Sequence, residues 1–141
     1  MTTPNNDKAA VEAATQAWID AFNEHDTEVI STLYDAGAVL WGTLSPEIIL
    51  SAEGVRAYFA RTFQITPPPT VALGTHHVRL FGDLAVSSGL YSLEFVVSGQ
   101  ARLLPARFSF TYRCAGGKWL IVDHHSSLLP SMPPELLANR E

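Results

Sequence analysis

Cysteine is nearly absent from this chain of 141 residues, in which Cys114 is the only one. A single thiol excludes an internal disulfide and a cysteine-rich zinc site, and it suits a reducing compartment. The first eight residues are polar, and no run reaches the roughly 18 apolar residues that a membrane span needs. We therefore expect a soluble, cytoplasmic protein with no membrane partner.

Charge is also scarce, because charged residues make up only 16% of the chain. This low fraction favours a protein that hides additional surface in an oligomer. The formal net charge is −5, and the nine Lys and Arg residues are scattered. Without a positive stripe to meet a phosphate backbone, nucleic acid is not an expected partner.

Several sequence motifs that carry well-defined chemistry are missing. The chain has no glycine-rich phosphate loop, no G-x-S-x-G elbow and no H-E-x-x-H motif. These motifs position nucleotide phosphates, a serine nucleophile and a catalytic zinc ion, respectively. The sequence therefore gives no support for a nucleotide-dependent enzyme or a serine hydrolase, and we expect no cofactor.

The first half of the chain has the periodicity of amphipathic helices, with apolar residues three and four positions apart. Asp and Ser residues stand where helix N-caps are needed, and a run of prolines ends the last helix. The predicted elements are a flexible N-terminus (1–7), a helix (Lys8–Asn23), a short helix capped by Asp26, a strand (Ala38–Trp41) and a helix from Ser51 to the prolines at 67–69.

After these prolines the period changes to two, and Gly-Asp, Ser-Gly and Gly-Gly pairs mark turns. The predicted strands are Val71–Phe81, Leu84–Val97, Ala101–Cys114 and Lys118–Ser127. Gly74 and Gly89 interrupt two of them, where a bulge would curve the sheet. We predict one α+β domain from 8 to 130, with three N-terminal helices on a strongly curved, mixed, mostly antiparallel sheet. A C-terminal tail, 131–141, would follow.

Adjacent histidines occur twice, as His76-His77 and His124-His125. Neighbouring side chains on a strand point to opposite faces, so at most one of each pair lines a cavity, and which one is open. Asp123 and His125 share a predicted face and are candidate catalytic residues as an acid–base pair. A hydrogen-bonded structural pair is the alternative, and a metal site is not expected.

The third long strand carries aromatic residues at every second position and arginines between them. Alternation favours the aromatic face as core and Arg107 as a surface residue. The alternative places Arg107 as an anion clamp in a pocket or between subunits. Candidate pocket residues are Trp18, Trp41, Tyr58, Tyr91, Arg107, Phe110 and Tyr112, although aromatic residues at such positions are more often plain core.

From roughly Val11 to Pro130 the chain resembles the nuclear transport factor 2-like superfamily, and within it bacterial relatives of the calcium/calmodulin-dependent protein kinase II association domain. The resemblance rests on Trp18 with Ala21-Phe22-Asn23 and His25-Asp26, on Val39 to Pro46, on Gly82-Asp83, and on Gly117-Lys118-Trp119 continuing through Ile121-Val122 to His125, Ser127 and Pro130. The segment Val122 to Ser127 also resembles SgcJ/EcaC-type proteins. More remotely the chain is similar to SnoaL-like cyclases and isomerases.

This resemblance implies a cystatin-like cone with an internal pocket, and self-association without any kinase catalytic domain. Where the kinase domain has pocket arginines, this chain aligns Ser92, Phe110 and Ser126. We therefore expect a homo-oligomer, at least a dimer through the outer sheet face, that binds a small, largely apolar molecule. The alternatives are a SnoaL-like cyclase, isomerase or dehydratase that uses the His–Asp pair, and an oligomerisation scaffold without a ligand.

Overall fold

Three helices and five strands make up the computed structural model, which describes residues 4–131 and 134–135. The elements are α1 (Pro4–Asn23), α2 (Thr27–Thr32), β1 (Tyr34–Trp41), α3 (Ala52–Phe63), β2 (Thr70–Phe81), β3 (Leu84–Val97), β4 (Gln100–Ala115) and β5 (Lys118–Leu128). Within the described part of the chain, no helix is long and apolar enough to cross a membrane.

One five-stranded sheet runs in the order β1-β5-β4-β3-β2. β1 is parallel to β5, and every other pair of neighbours is antiparallel. Both central residues of the β3–β4 turn, Ser98 and Gly99, have positive φ, as do Gly116 and Gly117 of the β4–β5 turn. Such φ values belong to the tight turns that match the twist of a hairpin. The predicted α+β class and the mixed, mostly antiparallel sheet are confirmed.

The helix starts show the predicted capping. The Asp26 carboxylate accepts the backbone N–H of Val29 at 3.1 Å, and the Ser51 hydroxyl accepts that of Gly54 at 3.0 Å. These bonds satisfy donors that a helix N-terminus leaves without a partner. α1 begins at Pro4, inside the segment expected to be flexible. Residues 1–3, and most of the expected C-terminal tail, lie outside the described residues.

The prediction that the first strand begins at Ala38 is wrong, because β1 begins at Tyr34. The backbone N–H of Ile121 donates to the carbonyl of Leu33 at 3.0 Å, and Tyr34 pairs with Ile121. The apolar spacing of Leu33 and Tyr34 favours an extension of the preceding helix. Pairing with β5 places Tyr34 in a strand instead, because tertiary contacts outweigh local helix preference.

The predicted bend at Gly74 and Gly89 is present. The register between β2 and β3 shifts between Leu73 and His76, and His76 then pairs with Gly89. A Cβ added to Gly89 would lie 2.4 Å from the carbonyl oxygen of Thr75. Only glycine permits this close approach of the two strands, so the bulge depends on it.

A second irregularity, in β5, overturns the simple alternation predicted there. The register between β4 and β5 shifts between Asp123 and Ile121. As a result Ile121 and His124, three positions apart, are both buried, with 1% and 2% of their surface exposed. Simple alternation would place Ile121 on the same face as His125, but His125 is exposed.

Candidate functional site

A small cavity lies between the helices and the inner face of the sheet. Its volume is about 20 Å³, enough for one ordered water molecule. The lining is aromatic and aliphatic with a few hydroxyls and one imidazole, and it contains no carboxylate, lysine or arginine. The residues are Trp18, Phe22, Gly42, Thr43, Leu44, Tyr58, Phe59, Thr62, Tyr91, Leu93, Phe95, His124 and Ser126.

A larger open space of about 170 Å³ adjoins this cavity. Leu44, Tyr58 and Thr62 line both spaces. The backbone N–H of Leu44 donates to Tyr58 Oη at 3.2 Å, and a Cβ added to Gly42 would lie 2.3 Å from the Tyr58 ring. The segment 42–44 therefore rests directly on Tyr58, which belongs to the wall between the two spaces.

Trp18 forms the central wall of the cavity. Its ring stacks on Tyr91 with centroids 5.5 Å apart and planes 9° apart. It meets the His124 ring edge-on, at 5.4 Å and 83°. Aromatic pairs prefer these two arrangements, so the wall is rigid and flat.

A chain of hydrogen bonds runs from this wall across the cavity floor. Trp18 Nε1–H donates to Tyr34 Oη at 3.0 Å, and Tyr34 Oη lies 2.8 Å from His124 Nδ1. On the other side of the imidazole, His124 Nε2 lies 3.2 Å from Tyr91 Oη. All four residues are buried.

The direction of these bonds follows from the chemistry of the indole, which can only donate. Tyr34 Oη accepts from Trp18, so its own proton is available for His124 Nδ1. The imidazole is then protonated at Nε2 and donates to Tyr91 Oη. The opposite direction would leave the buried Tyr34 proton without an acceptor in the described structure, at a cost of about 1–3 kcal/mol.

None of these groups carries a charge near neutral pH. Burial, and to a lesser degree the neighbouring His125, lowers the pKa of His124 to about 3. Burial raises the pKa of both Tyr34 and Tyr91 above the usual value for a phenol. The charged form of each group is disfavoured in an apolar site, so the chain acts through neutral hydrogen bonds.

Two further hydroxyls, those of Thr43 and Ser126, line the cavity. They form a short hydrogen bond with each other. Because a hydroxyl carries one proton and two lone pairs, the pair offers both a donor and an acceptor at the cavity.

Of the predicted pocket residues, Trp18, Tyr58 and Tyr91 line the cavity. Phe110 lies behind it, fully buried, with its ring centroid 4.1 Å from that of His124. Tyr112 is buried as well but belongs to a separate polar cluster that does not reach the cavity.

The expected pocket positions of Trp41 and Arg107 require correction, since both lie on the exposed outer face of the sheet. Trp41 is 37% exposed and packs against His125, with ring centroids 6.4 Å apart. Arg107 alternates with the buried Ala106 and Phe108. The prediction of an aromatic core face and a surface arginine on this strand matches the observed burial.

The expected acid–base pair is also outside the cavity, because the Asp123 and His125 side chains are exposed on the outer face of β5. His124 is the member of its pair that reaches the cavity. Of the other pair, His77 is exposed and His76 is half-buried. In the described residues, no three His, Cys, Asp or Glu side chains meet as a metal site would require.

Sequence reasoning missed Thr43, and it left open whether His124 or His125 reaches the cavity. Ser126, which the resemblance aligned with a pocket position, lines the cavity. Alternation along the strand correctly predicted that at most one of the two adjacent histidines faces the cavity. The bulge in β5 determines that this residue is His124. Thr43 lies in a segment without periodicity, where no pattern indicates the direction of a side chain.

The mixed sheet with helices on one side is the nuclear transport factor 2-like, or cystatin-like, class of fold. A protein of the nuclear transport factor 2-like family from Streptomyces avermitilis, named as a dehydratase, has the same fold. That protein is 20% identical and has a TM-score of 0.83, over 92% of this chain and 100% of its own. The SnoaL-like domain family matches residues 11–132, and the chain belongs to this family.

Two further structures are similar to this chain. A protein from Xanthomonas campestris, named for the calcium/calmodulin-dependent protein kinase II association domain, is 32% identical over 86% of this chain and 87% of its own, with a TM-score of 0.77. The hub homology domain of that kinase from Chlamydamonas reinhardtii is 24% identical over 86% and 98%, with a TM-score of 0.70. No curated protein matched the chain.

Proposed function

We propose that this protein binds a small, neutral, largely apolar molecule at the cavity beside Trp18. The observation that carries the proposal is an aromatic-walled cavity whose few polar groups, among them His124, Thr43 and Ser126, are neutral and converge on it. Small-molecule sites combine an apolar lining with a few convergent polar groups in this way. The cavity holds only a water molecule as it stands, so binding requires segment 42–44 to move into the adjoining open space.

The lining favours binding over acid–base catalysis. A general base works best with a pKa near the operating pH. The cavity contains no carboxylate, and the pKa of its one imidazole, His124, is lowered to about 3. The Asp123–His125 pair lies outside the cavity, so the cyclase and isomerase alternative lacks the contact with substrate that it needs.

A thermal-shift screen of neutral apolar compounds tests the proposal, followed by titration of the intrinsic fluorescence of Trp18. We expect hits that raise the melting temperature and quench or shift the emission. A Ser126→Leu variant is the control, because Ser126 lines the cavity and a leucine side chain there would occupy its volume of about 20 Å³. A broad screen without any hit would support the alternative of a scaffold without a ligand.

Self-association is a second candidate function, and the outer face of the sheet favours it. Leu90 and Leu103 stand there 46% and 63% exposed. The proteins named above for an association domain and a hub domain share the fold. We assign this face to a second copy of the chain, because exposed apolar side chains on a sheet face are typical of homodimer contacts.

Light scattering coupled to size-exclusion chromatography measures this association. We expect an assembly for the native chain and a shift toward monomer in Leu90→Glu. Leu50→Glu is the matched control, since Leu50 is 66% exposed but lies in the segment between β1 and α3 rather than on the sheet. A native chain that is monomeric at micromolar concentration would contradict the assignment.

A further inference from the structure

We propose that two copies of the chain meet through the outer face of the sheet in one defined register, in which Arg107 of each copy binds the partner's Asp123. This inference rests on the self-association proposed above, and it adds the residues that fix how the two copies are oriented. In a two-fold contact every such pair forms twice, because the same surface serves both copies.

Arg107 and Asp123 carry charges that have no partner on their own chain. Both side chains are exposed on the outer face of the sheet. The ion pairs of the described residues are Glu28–Arg56 and Asp35–Arg113. Arg107 is opposite Ser127, four residues beyond Asp123, so about 13 Å of strand separates the two charges. Each charge is therefore available to another molecule.

Cross-strand pairing arranges the outer face in rows that run across the sheet. The middle row consists of His77, Ser88, Ser109, His125 and Trp41, each paired with the next. Arg107 comes two residues before Ser109, and Asp123 comes two residues before His125 on the antiparallel neighbour. The two opposite charges therefore lie on opposite sides of the middle row, at the same spacing from it.

A two-fold axis along the middle row brings these charges together. Such an axis lays each row over the partner's row at the same distance on the other side, so Arg107 lies over the partner's Thr111. Thr111 and Asp123 are cross-strand neighbours, about 4.8 Å apart, and the long arginine side chain spans that step to the carboxylate. An axis along β4 would instead lay Arg107 over the partner's Arg107, a like-charge contact that costs affinity.

The surface around Arg107 has room for the incoming carboxylate. A shallow concavity of about 260 Å³ is lined there by Arg107, Phe108, Ser109, His125 and Ser127. Its hydroxyls can donate to a carboxylate that the guanidinium binds, and no acidic side chain in the lining competes for the arginine.

The same register gives the exposed Leu90 an apolar partner. Leu90 is opposite Arg107, and Val86 is opposite Thr111. The axis that lays Arg107 over the partner's Thr111 therefore lays Leu90 over the partner's Val86. The contact combines apolar and charged pairs, as protein interfaces do.

Charge reversal tests the register. Arg107→Asp and Asp123→Arg each replace two attractive contacts by two like-charge contacts. We expect each variant to dimerise at least about tenfold more weakly than the native chain, in light scattering over a dilution series. The two variants mixed in equal amounts should form a heterodimer with close to native affinity, because each supplies the charge that the other has lost. Only a contact between copies can be restored by mixing two chains.

Glu94→Arg is the matched control, since it makes the same change in charge as Asp123→Arg on the same face, away from the middle row. We expect it to keep native affinity. A native chain that is monomeric at micromolar concentration would overturn both the self-association and the register. A dimer that tolerates both reversals, that Glu94→Arg weakens equally, or that mixing does not restore would overturn the register alone.

Salt provides a readout on the native chain that does not depend on the variants folding. The dissociation constant of the dimer should rise at least about threefold between about 0.05 and 0.5 M sodium chloride, because salt screens ion pairs at an interface. A dimer whose affinity is unchanged over this range would contradict the two ion pairs while leaving self-association intact.

Discussion

Two polar clusters are buried on the inner side of the same sheet, and they end differently. In the first, Tyr112 Oη lies 2.8 Å from Thr15 Oγ1, whose proton is within 3.2 Å reach of the Ser87 hydroxyl and of the Val11 carbonyl. A backbone carbonyl closes this cluster. The second begins at Trp18 and ends at Tyr91, which lines the cavity.

The difference shows how to separate structural from functional polarity in a core. The first cluster contains a backbone acceptor, so the Thr15 proton has a partner that does not itself need one. In the second, Trp18 Nε1–H can only donate, so Tyr34 must accept from it and passes its own proton to His124. Burial alone does not distinguish the two, since Thr15 and His124 are both almost fully buried.

Removal of one hydroxyl from each cluster should have the largest and most unequal effect. Tyr34→Phe leaves two buried groups without partners, Trp18 Nε1–H and His124 Nδ1, at about 1–3 kcal/mol each. Tyr112→Phe removes one bond but leaves Thr15 its carbonyl acceptor, for a loss of about 0.5–1.5 kcal/mol. Urea unfolding measures both free energies.

The two variants serve as controls for each other, because each changes a buried tyrosine to phenylalanine at nearly constant volume. An unchanged slope against urea in both would show that the comparison is one of stability alone. Equal losses of unfolding free energy in Tyr34→Phe and Tyr112→Phe would contradict the expected difference between the two clusters.

The next largest effect should be a loss of folding stability in acid, through protonation of His124. The pKa of His124 is about 3 in the folded protein, against about 6.5 for an unfolded histidine. Because the folded pKa of this base is lowered, its contribution to stability is complete above pH 6.5 and declines as the pH falls toward 3. At pH 5 the loss is about 2 kcal/mol, since each pH unit in this window costs about 1.4 kcal/mol.

His124→Asn isolates this contribution, because asparagine offers an acceptor and a donor but does not titrate. Unfolding free energies of native and variant chains are compared between pH 7 and pH 5. We expect their difference to shrink by about 2 kcal/mol over that window. Parallel curves would show that His124 is not the group whose protonation destabilises the fold.

Much of the fold could be predicted from the sequence, because most of its helices and strands are marked by local sequence patterns. Period-two runs between Gly-containing turns placed β3 at its observed bounds and the other long strands within a residue or so. Asp26 and Ser51 marked two helix starts through the chemistry of their side chains. Tyr34 went to the wrong element because its partner strand lies far along the chain.

The site was harder to predict, because it depends on a one-residue irregularity. The bulge in β5 turns His124 and Ser126 inward and leaves Asp123 and His125 outside. A slip of one residue reverses every side chain after it, and nothing in the composition of β5 marks where the slip occurs. The direction of the buried hydrogen bonds is harder still to predict from sequence. It depends on contacts of His124 with Tyr34 and Tyr91, which lie far from it along the chain.

The smallest effects should come from the serines of the two clusters. Ser87→Ala and Ser126→Ala each remove one buried hydroxyl, and we expect each to change the free energy of unfolding by less than about 1.5 kcal/mol. Urea unfolding measures both losses, and a loss in either variant as large as that of Tyr34→Phe would contradict this ranking.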